Sequence, residues 1–227
     1  MRSADWARCR RSADAGRMAA PDLIVPIFPL PDVTFFPHTL LPLHVFEARY
    51  RVMVIDALER DRRLAVVKLK PGFEATYAGK PDVHPVAGLG EIVSCERLAT
   101  GRYNILLRGQ SRVRLEQELP SDTLYRLVRA RRLADAEPGG DVAPALARIR
   151  ASCKTLLEAL TRPADLLDTA LAEGQAAGVI ADRVAAAVLP DAATRQRLLE
   201  TLDVGARVTT VADALETLVK ELKGGRE

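Results

Sequence analysis

Aromatic residues and prolines crowd into one half of this chain. Nine of its ten aromatic residues fall between Phe28 and Tyr125, none follows Tyr125, and eleven of its fourteen prolines lie between Pro21 and Pro138. Proline has no amide hydrogen to give a helix or a central strand, so the first half is restricted to short strands, edges and turns. The second half is free to be helical. Between them Glu137-Pro138-Gly139-Gly140 reads as a linker, because Pro-Gly-Gly continues neither kind of element readily. The predicted organisation is a disordered basic leader over residues 1–20, a β domain over 21–137 and a helical subdomain over 141–223.

Charge divides the chain differently. The net charge is +3; residues 1–17 carry five Arg against Asp5 and Asp14, so the remainder sums to zero. A neutral folded part has no overall pull toward nucleic acid or anionic lipid. The leader lacks the apolar segment of a secretory signal, and Met18 stands as an alternative first residue. At 48% hydrophobic and 28% charged, the composition is that of a globular protein with a real core. The longest apolar runs are too short to span a bilayer, so a soluble protein is expected. Cys9, Cys95 and Cys153 are odd in number and widely spaced, which suits neither a disulfide framework nor a zinc site and fits a reducing cytoplasm.

In the first half, apolar and β-branched runs predict strands at Leu23 to Phe28, Val33 to Phe36, Leu64 to Leu69, Glu91 to Glu96, Tyr103 to Leu107, Val113 to Leu119 and Leu124 to Leu133. Alternation of Val113, Leu115, Gln117 and Leu119 with Arg112, Arg114, Glu116 and Glu118 predicts one buried and one solvated face. Many short strands at this spacing point to a closed or nearly closed barrel. One helix interrupts them: Phe46, Tyr50, Met53, Val54, Ala57 and Leu58 recur at helical spacing, and Glu47 suits the helix start, where exposed amides favour an acid. In the second half the period becomes helical throughout. Four helices are predicted: one ending before Pro163, one from about Pro163 to Val188, one capped by Asp191, and one from Val208 ending at Gly224. The fold class is α+β, a β-barrel with one packed helix followed by a helical bundle.

The motifs of common chemistries do not occur. The pair Gly79-Lys80 is followed by Pro81 and lacks the upstream glycine of a phosphate loop, and Ser111 has no second glycine behind it to make a hydrolase elbow. His38, His44 and His84 lack metal-ligand spacing. No catalytic residue, cofactor or metal site is predicted. The stretch Arg126, Arg129, Arg131, Arg132 admits two readings: a local groove for RNA, or a solvated strand edge guarded against aggregation.

The run Pro29-Leu30-Pro31-Asp32-Val33-Thr34-Phe35-Phe36-Pro37, then Leu41-Pro42-Leu43 and Phe46-Glu47-Ala48-Arg49-Tyr50, resembles the amino-terminal substrate-recognition domain of Lon ATP-dependent proteases. Gly88-Leu89-Gly90-Glu91-Ile92-Val93, Gly109-Gln110-Ser111-Arg112-Val113 and Leu198 to Val204 are similar to later parts of that domain. The resemblance covers about residues 23 to 222. It implies a PUA-like β-barrel followed by a helical bundle, and a free-standing domain without the ATPase and the Ser-Lys protease. His38 departs from the family's Gly, so a tight turn there must hold a side chain. The leading functional expectation is a non-enzymatic module for exposed or unfolded polypeptide segments in protein quality control, with a separate protease among its expected partners. Strand addition at proline-interrupted edges and contact with Phe35, Phe36, Phe73 and Tyr77 would supply the grip, although alternation buries one of the first two. RNA binding by the arginine stretch is the alternative, and a hydrolase ranks last.

Overall fold

In the computed structural model the described residues are 23–77, 79–160, 171–172 and 174–224. The expected leader lies outside them, as does much of the helix expected from Pro163. Six strands form one sheet: β1 (Leu23–Leu30), β2 (Leu40–Val45), β3 (Arg63–Lys68), β4 (Val86–Arg97), β5 (Tyr103–Leu119) and β6 (Leu127–Leu133). Their order is β2-β5-β4-β3-β1-β6, and β6 pairs back onto β5. The ladder thus runs in a circuit through β5, β4, β3, β1 and β6. β5 can serve three neighbours because it is 17 residues long: Tyr103 to Arg108 pair with β2, and Arg112 to Leu119 pair with β6. The two strands predicted over this stretch are therefore one, running through Gly109.

All five strands of the circuit contribute to one set of buried aliphatic side chains, among them Val25, Ile27, Ala65, Val67, Ala87, Leu89, Val113, Val128 and Ala130. A ring of five strands leaves a narrow interior, which valines and alanines fill together with Ile27 and Leu89. On the opposite face, Leu64, Val66, Ile92 and Ile105 pack with Tyr50, Met53, Val54 and Ala57 of helix α1 (Ala48–Glu59). Burial on both faces explains why β3 reads as an unbroken apolar run. Phe46, placed in the helical stripe by its spacing, lies before the helix instead, 59% exposed and stacked on His44.

The segment Val33 to Phe36, expected as a strand, has no regular structure. It crosses the sheet, and glycines make the room. A Cβ at Gly88 would stand 1.9 Å from the Phe35 carbonyl oxygen, and one at Gly109 2.1 Å from that of Phe36. Phe35 and Phe36 then point into different cores, one with α1 and one with the helices of the second half. The crossing ends at His38, whose φ of 61° is the tight turn the sequence required, with its amide donating to Gly109 O at 3.0 Å.

The second half forms α2 (Ala143–Leu160), α3 (Ala177–Val188), α4 (Ala192–Glu200) and α5 (Val204–Gly224). Helix α3 starts later than its apolar pattern suggests, after Gly174 in the left-handed region. Asp191 caps α4 as expected, accepting from the amides of Ala193 and Thr194. Ile149, Cys153, Ile180, Val184, Leu199, Val208, Val211 and Leu215 make a core that also takes in Phe36 and Val86 from the first half.

An ionic cluster crosses the same boundary. Arg112 of β5 donates to both carboxylate oxygens of Asp182 on α3, at 2.9 and 2.7 Å, and to Leu199 O at 2.9 Å. Arg207 of α5 donates to Asp135 and Thr201 O and lies 3.1 Å from Asp182. Alternation placed Arg112 on a solvated face, yet it is 2% exposed. The helices cover that face and bring it a carboxylate.

Candidate functional site

Where β1 separates from β6, the molecule opens a cleft of about 280 Å³. The separation follows from the pairing. Leu23 to Pro26 of β1 face β6, whereas Ile27 to Leu30 face β3, so beyond the bond from Ile27 N to Arg126 O the two strands part. Pro29 lines this gap, and having no amide hydrogen it leaves no donor stranded there. The other walls are the first turn of α1 with Arg49 and Tyr50, the Gly79 to Pro81 segment, the end of β5 with Glu118 and Leu119, and the β5–β6 connection with Leu124 to Arg126. Ile27, Pro29 and Leu119 give it an apolar side, and Leu124 stands at 65% exposure.

Two polar clusters frame the cleft. In the first, Glu47 accepts from Arg49 Nε at 3.0 Å and from the Tyr77 hydroxyl at 2.8 Å, while the Arg49 guanidinium lies over the rings of Tyr50 and Tyr77 at 4.7 and 5.2 Å. Such cation–π stacking fixes the guanidinium plane. Glu47 therefore makes no side-chain cap, contrary to the role its position suggests; Arg49 and Tyr77 compete for the carboxylate and win it. Burial pushes the Tyr50 hydroxyl up to about 12 and raises that of Tyr77. In the second cluster, Glu118 takes the Lys80 ammonium at 2.8 Å and Arg126 Nε and Nη2 at 3.2 and 3.0 Å, while Arg126 Nη1 donates to Pro81 O at 2.8 Å. Burial works to raise the Glu118 carboxyl, but the two cations together hold it below the usual carboxylate range. On the cleft's far wall the Tyr125 hydroxyl donates to Asp56 at 2.7 Å, and burial with that bond pushes it up to about 12.

The residues singled out by sequence are dispersed. Phe35 and Phe36 are 1% and 0% exposed and offer no surface to a partner. Phe73 and Tyr77 are half-buried and packed together with ring centroids 6.1 Å apart, Tyr77 joining the Glu47 cluster beside the cleft. Of the arginines, Arg126 enters the cleft. The others run along β6 toward β5: Arg129 donates to Gln117, Arg131 to Glu116 and Arg132 to Ser111. Arg126 and Arg131 thus hold carboxylates. Sequence reasoning missed Lys80, Glu118, Leu124 and Tyr125. Glu116 and Glu118 alternating opposite an arginine-rich strand was the available signal, since cross-strand neighbours on a hairpin of opposite charge attract. Among the described residues no group of three or more His, Cys, Asp or Glu is placed to hold a metal ion, and no helix is long and apolar enough to cross a membrane.

Comparison with known proteins places this architecture. The family model described as the ATP-dependent protease La (LON) substrate-binding domain matches residues 24–217. The Lon protease of Xanthomonas oryzae pv. oryzae is 31% identical over 192 residues, 82% of this chain and 22% of that protein. That of Desulfosudis oleivorans is 24% identical over 201 residues, 88% of this chain and 25% of that protein. The chain thus spans about a quarter of the length of these relatives. Among solved structures, the N-terminal domain of Mycobacterium avium complex Lon protease superimposes with a TM-score of 0.65 at 18% identity, covering 86% of this chain and 98% of that one. A Lon N-terminal domain protein from Xanthomonas campestris gives 0.57 at 22%, covering 87% and 98%. At these identities the likeness concerns the fold, and it extends across both the sheet and the helices. With the family's pattern running over nearly all described residues, this chain belongs to the Lon substrate-binding domain family.

Proposed function

We propose that this chain is a non-enzymatic polypeptide-binding module that takes extended segments, of the kind exposed in unfolded proteins, into the cleft between β1, α1 and the β5–β6 connection. Its setting is protein quality control in the cytoplasm, where it hands clients to a separate protease. The observation that carries the reading is the cleft itself, half apolar and half framed by fixed charges, with Leu124 exposed at its mouth. A volume near 280 Å³ accommodates one or two side chains, at the lower end of the range for ligand pockets. Contacts this few must offset the ordering of the bound chain, so affinities on the order of micromolar or weaker are expected. The relatives' family description, a substrate-binding domain of an ATP-dependent protease, supports the same assignment.

Strand addition has a candidate edge in β2, which among the described residues pairs only with β5. The bond from Gly109 N to Thr39 O sets the phase of that ladder, so Leu41, Leu43 and Val45 bond β5 while Leu40, Pro42 and His44 face outward. Pro42 then removes the central donor of the open edge, which protects it from indiscriminate pairing. The cleft is accordingly the stronger site. RNA binding lacks comparable support, because Arg126 and Arg131 are held by Glu118 and Glu116.

Fluorescence anisotropy with a labelled apolar-core peptide tests the proposal. Binding should weaken at least about fivefold in Leu124→Asp, which sets a charge at the apolar mouth. Equal binding by Leu124→Asp and the parent chain, or none by either, counts against the cleft.

A further inference from the structure

The charges around the cleft do not balance, and the imbalance points to a class of ligand. Among the described residues three cations line it, Arg49, Lys80 and Arg126, against one lining carboxylate, Glu118. Arg49 is matched from outside the lining by Glu47. Lys80 and Arg126 both converge on Glu118, which takes Lys80 on one oxygen and Arg126 on the other. One positive charge is left in excess at the rim. Arg126 is 18% exposed and Glu118 29%, so this charge sits at a partly desolvated wall where screening is weaker than on open surface. The Lys80 side chain, 72% exposed, is free to swing toward a newcomer. Ile27, Pro29 and Leu124 line the same cleft.

We propose that the cleft selects extended segments in which an apolar side chain is flanked by an internal Asp or Glu, the apolar group resting against Ile27, Pro29 and Leu124 and the carboxylate drawing Lys80 from Glu118. This rests on the reading of the cleft as a polypeptide site and names the chemistry it prefers. With the ligand bound, Arg126 retains Glu118 and Lys80 gains its own partner, so two cations face two carboxylates. A lysine or arginine in the same place would meet like charge and is disfavoured. An internal side chain fits better than a chain terminus. Terminal carboxylates are caught by clusters of free backbone amides, and the glycine amide here, Gly79 N, is already given to Thr76 O.

The test uses the full chain and three peptides that share an apolar core and have amidated ends, differing only in a flanking Glu, Gln or Lys. A fourth has Gln with a free terminal carboxylate. Anisotropy titrations at low and high salt are expected to rank Glu above Gln above Lys, with Glu favoured over Gln about fivefold or more and the gap closing as salt rises. Lys80→Gln should abolish the gap between the Glu and Gln peptides. Glu118→Gln, which frees both cations, should widen it. Equal binding of all three internal peptides overturns the charge preference and leaves the polypeptide site standing. A preference confined to the free-terminus peptide overturns the internal carboxylate. Absence of binding by every peptide removes the site and the preference together.

Discussion

Replacing Asp182 by alanine tests how the sheet and the helices are joined. The carboxylate receives two hydrogen bonds from Arg112, at 2.9 and 2.7 Å, and lies 3.1 Å from Arg207 Nε. Arg112 is 2% exposed and Arg207 fully buried, so neither guanidinium can turn to water once its partner is gone. Arg207 keeps Asp135 and Thr201 O, whereas Arg112 keeps Leu199 O and an Asp135 oxygen at 3.5 Å. Breaking a buried pair from one side costs about 3 to 5 kcal/mol, and the residual contact with Asp135 sets the expectation near the lower bound, about 3 kcal/mol. For a chain of this length that lowers Tm by roughly 6 to 12 °C. Equilibrium urea unfolding followed by far-ultraviolet circular dichroism measures it directly. The double variant Arg112→Met with Asp182→Leu removes the burial penalty of both charges and should recover most of the loss. A cost under about 1 kcal/mol for Asp182→Ala, or a double variant no better than the single, refutes the argument that these charges depend on one another.

Gly109→Ala forces a methyl to within 2.1 Å of the Phe36 carbonyl oxygen, a backbone atom that cannot step aside, so a loss of about 2 kcal/mol or more is expected in the same unfolding assay. Cys153 is fully buried and burial pushes its thiol up to about 11, whereas Cys95 is half-buried; brief alkylation at pH 8 with peptide mapping should therefore modify Cys95 and spare Cys153 until the chain unfolds. Tyr50 and Tyr125 favour their neutral hydroxyls in the folded state, with values raised to about 12 from an ordinary 10.0. Their contribution to stability is thus complete below pH 10 and lost as pH rises toward 12. Ultraviolet titration should show these two ionising together with alkaline unfolding, and ionisation near 10 in the intact fold would contradict it.

What could be read from the sequence followed from local chemistry. Proline and aromatic crowding separated the strands from the helices, and Asp191 announced its cap. What failed did so because a distant segment arrived. Arg112 alternates as a solvated residue and is buried because α3 supplies Asp182. Phe35 and Phe36 look like alternating strand positions, yet both are buried, because an irregular crossing can turn successive side chains into two different cores. Glu47 sits where a capping acid would, and a tyrosine thirty residues later takes its oxygen. The cleft was the least legible feature, since residues from 27 to 126 meet in it. The motif Phe46 to Tyr50 supplied two of its lining residues, Arg49 and Tyr50, without revealing that they line a cleft.

Every residue lining the cleft belongs to the first half of the chain, while the ionic cluster that ties in the helices lies on β5, α3, α5 and the segment after β6. The cleft's shape depends on β1 leaving β6 and on the β5–β6 connection, both fixed by strand pairing. The helices act on it indirectly, by covering the side of β5 that carries Arg112 and by sharing Phe36 and Val86. On the proposed reading, stability and recognition rest on different residues of the same long strand: Arg112 near its middle anchors the helices, and Glu118 near its end pairs with both Lys80 and Arg126. Changes at Glu118 or Lys80 are then expected to retune what the cleft accepts without loosening the core, because neither side chain belongs to the buried clusters.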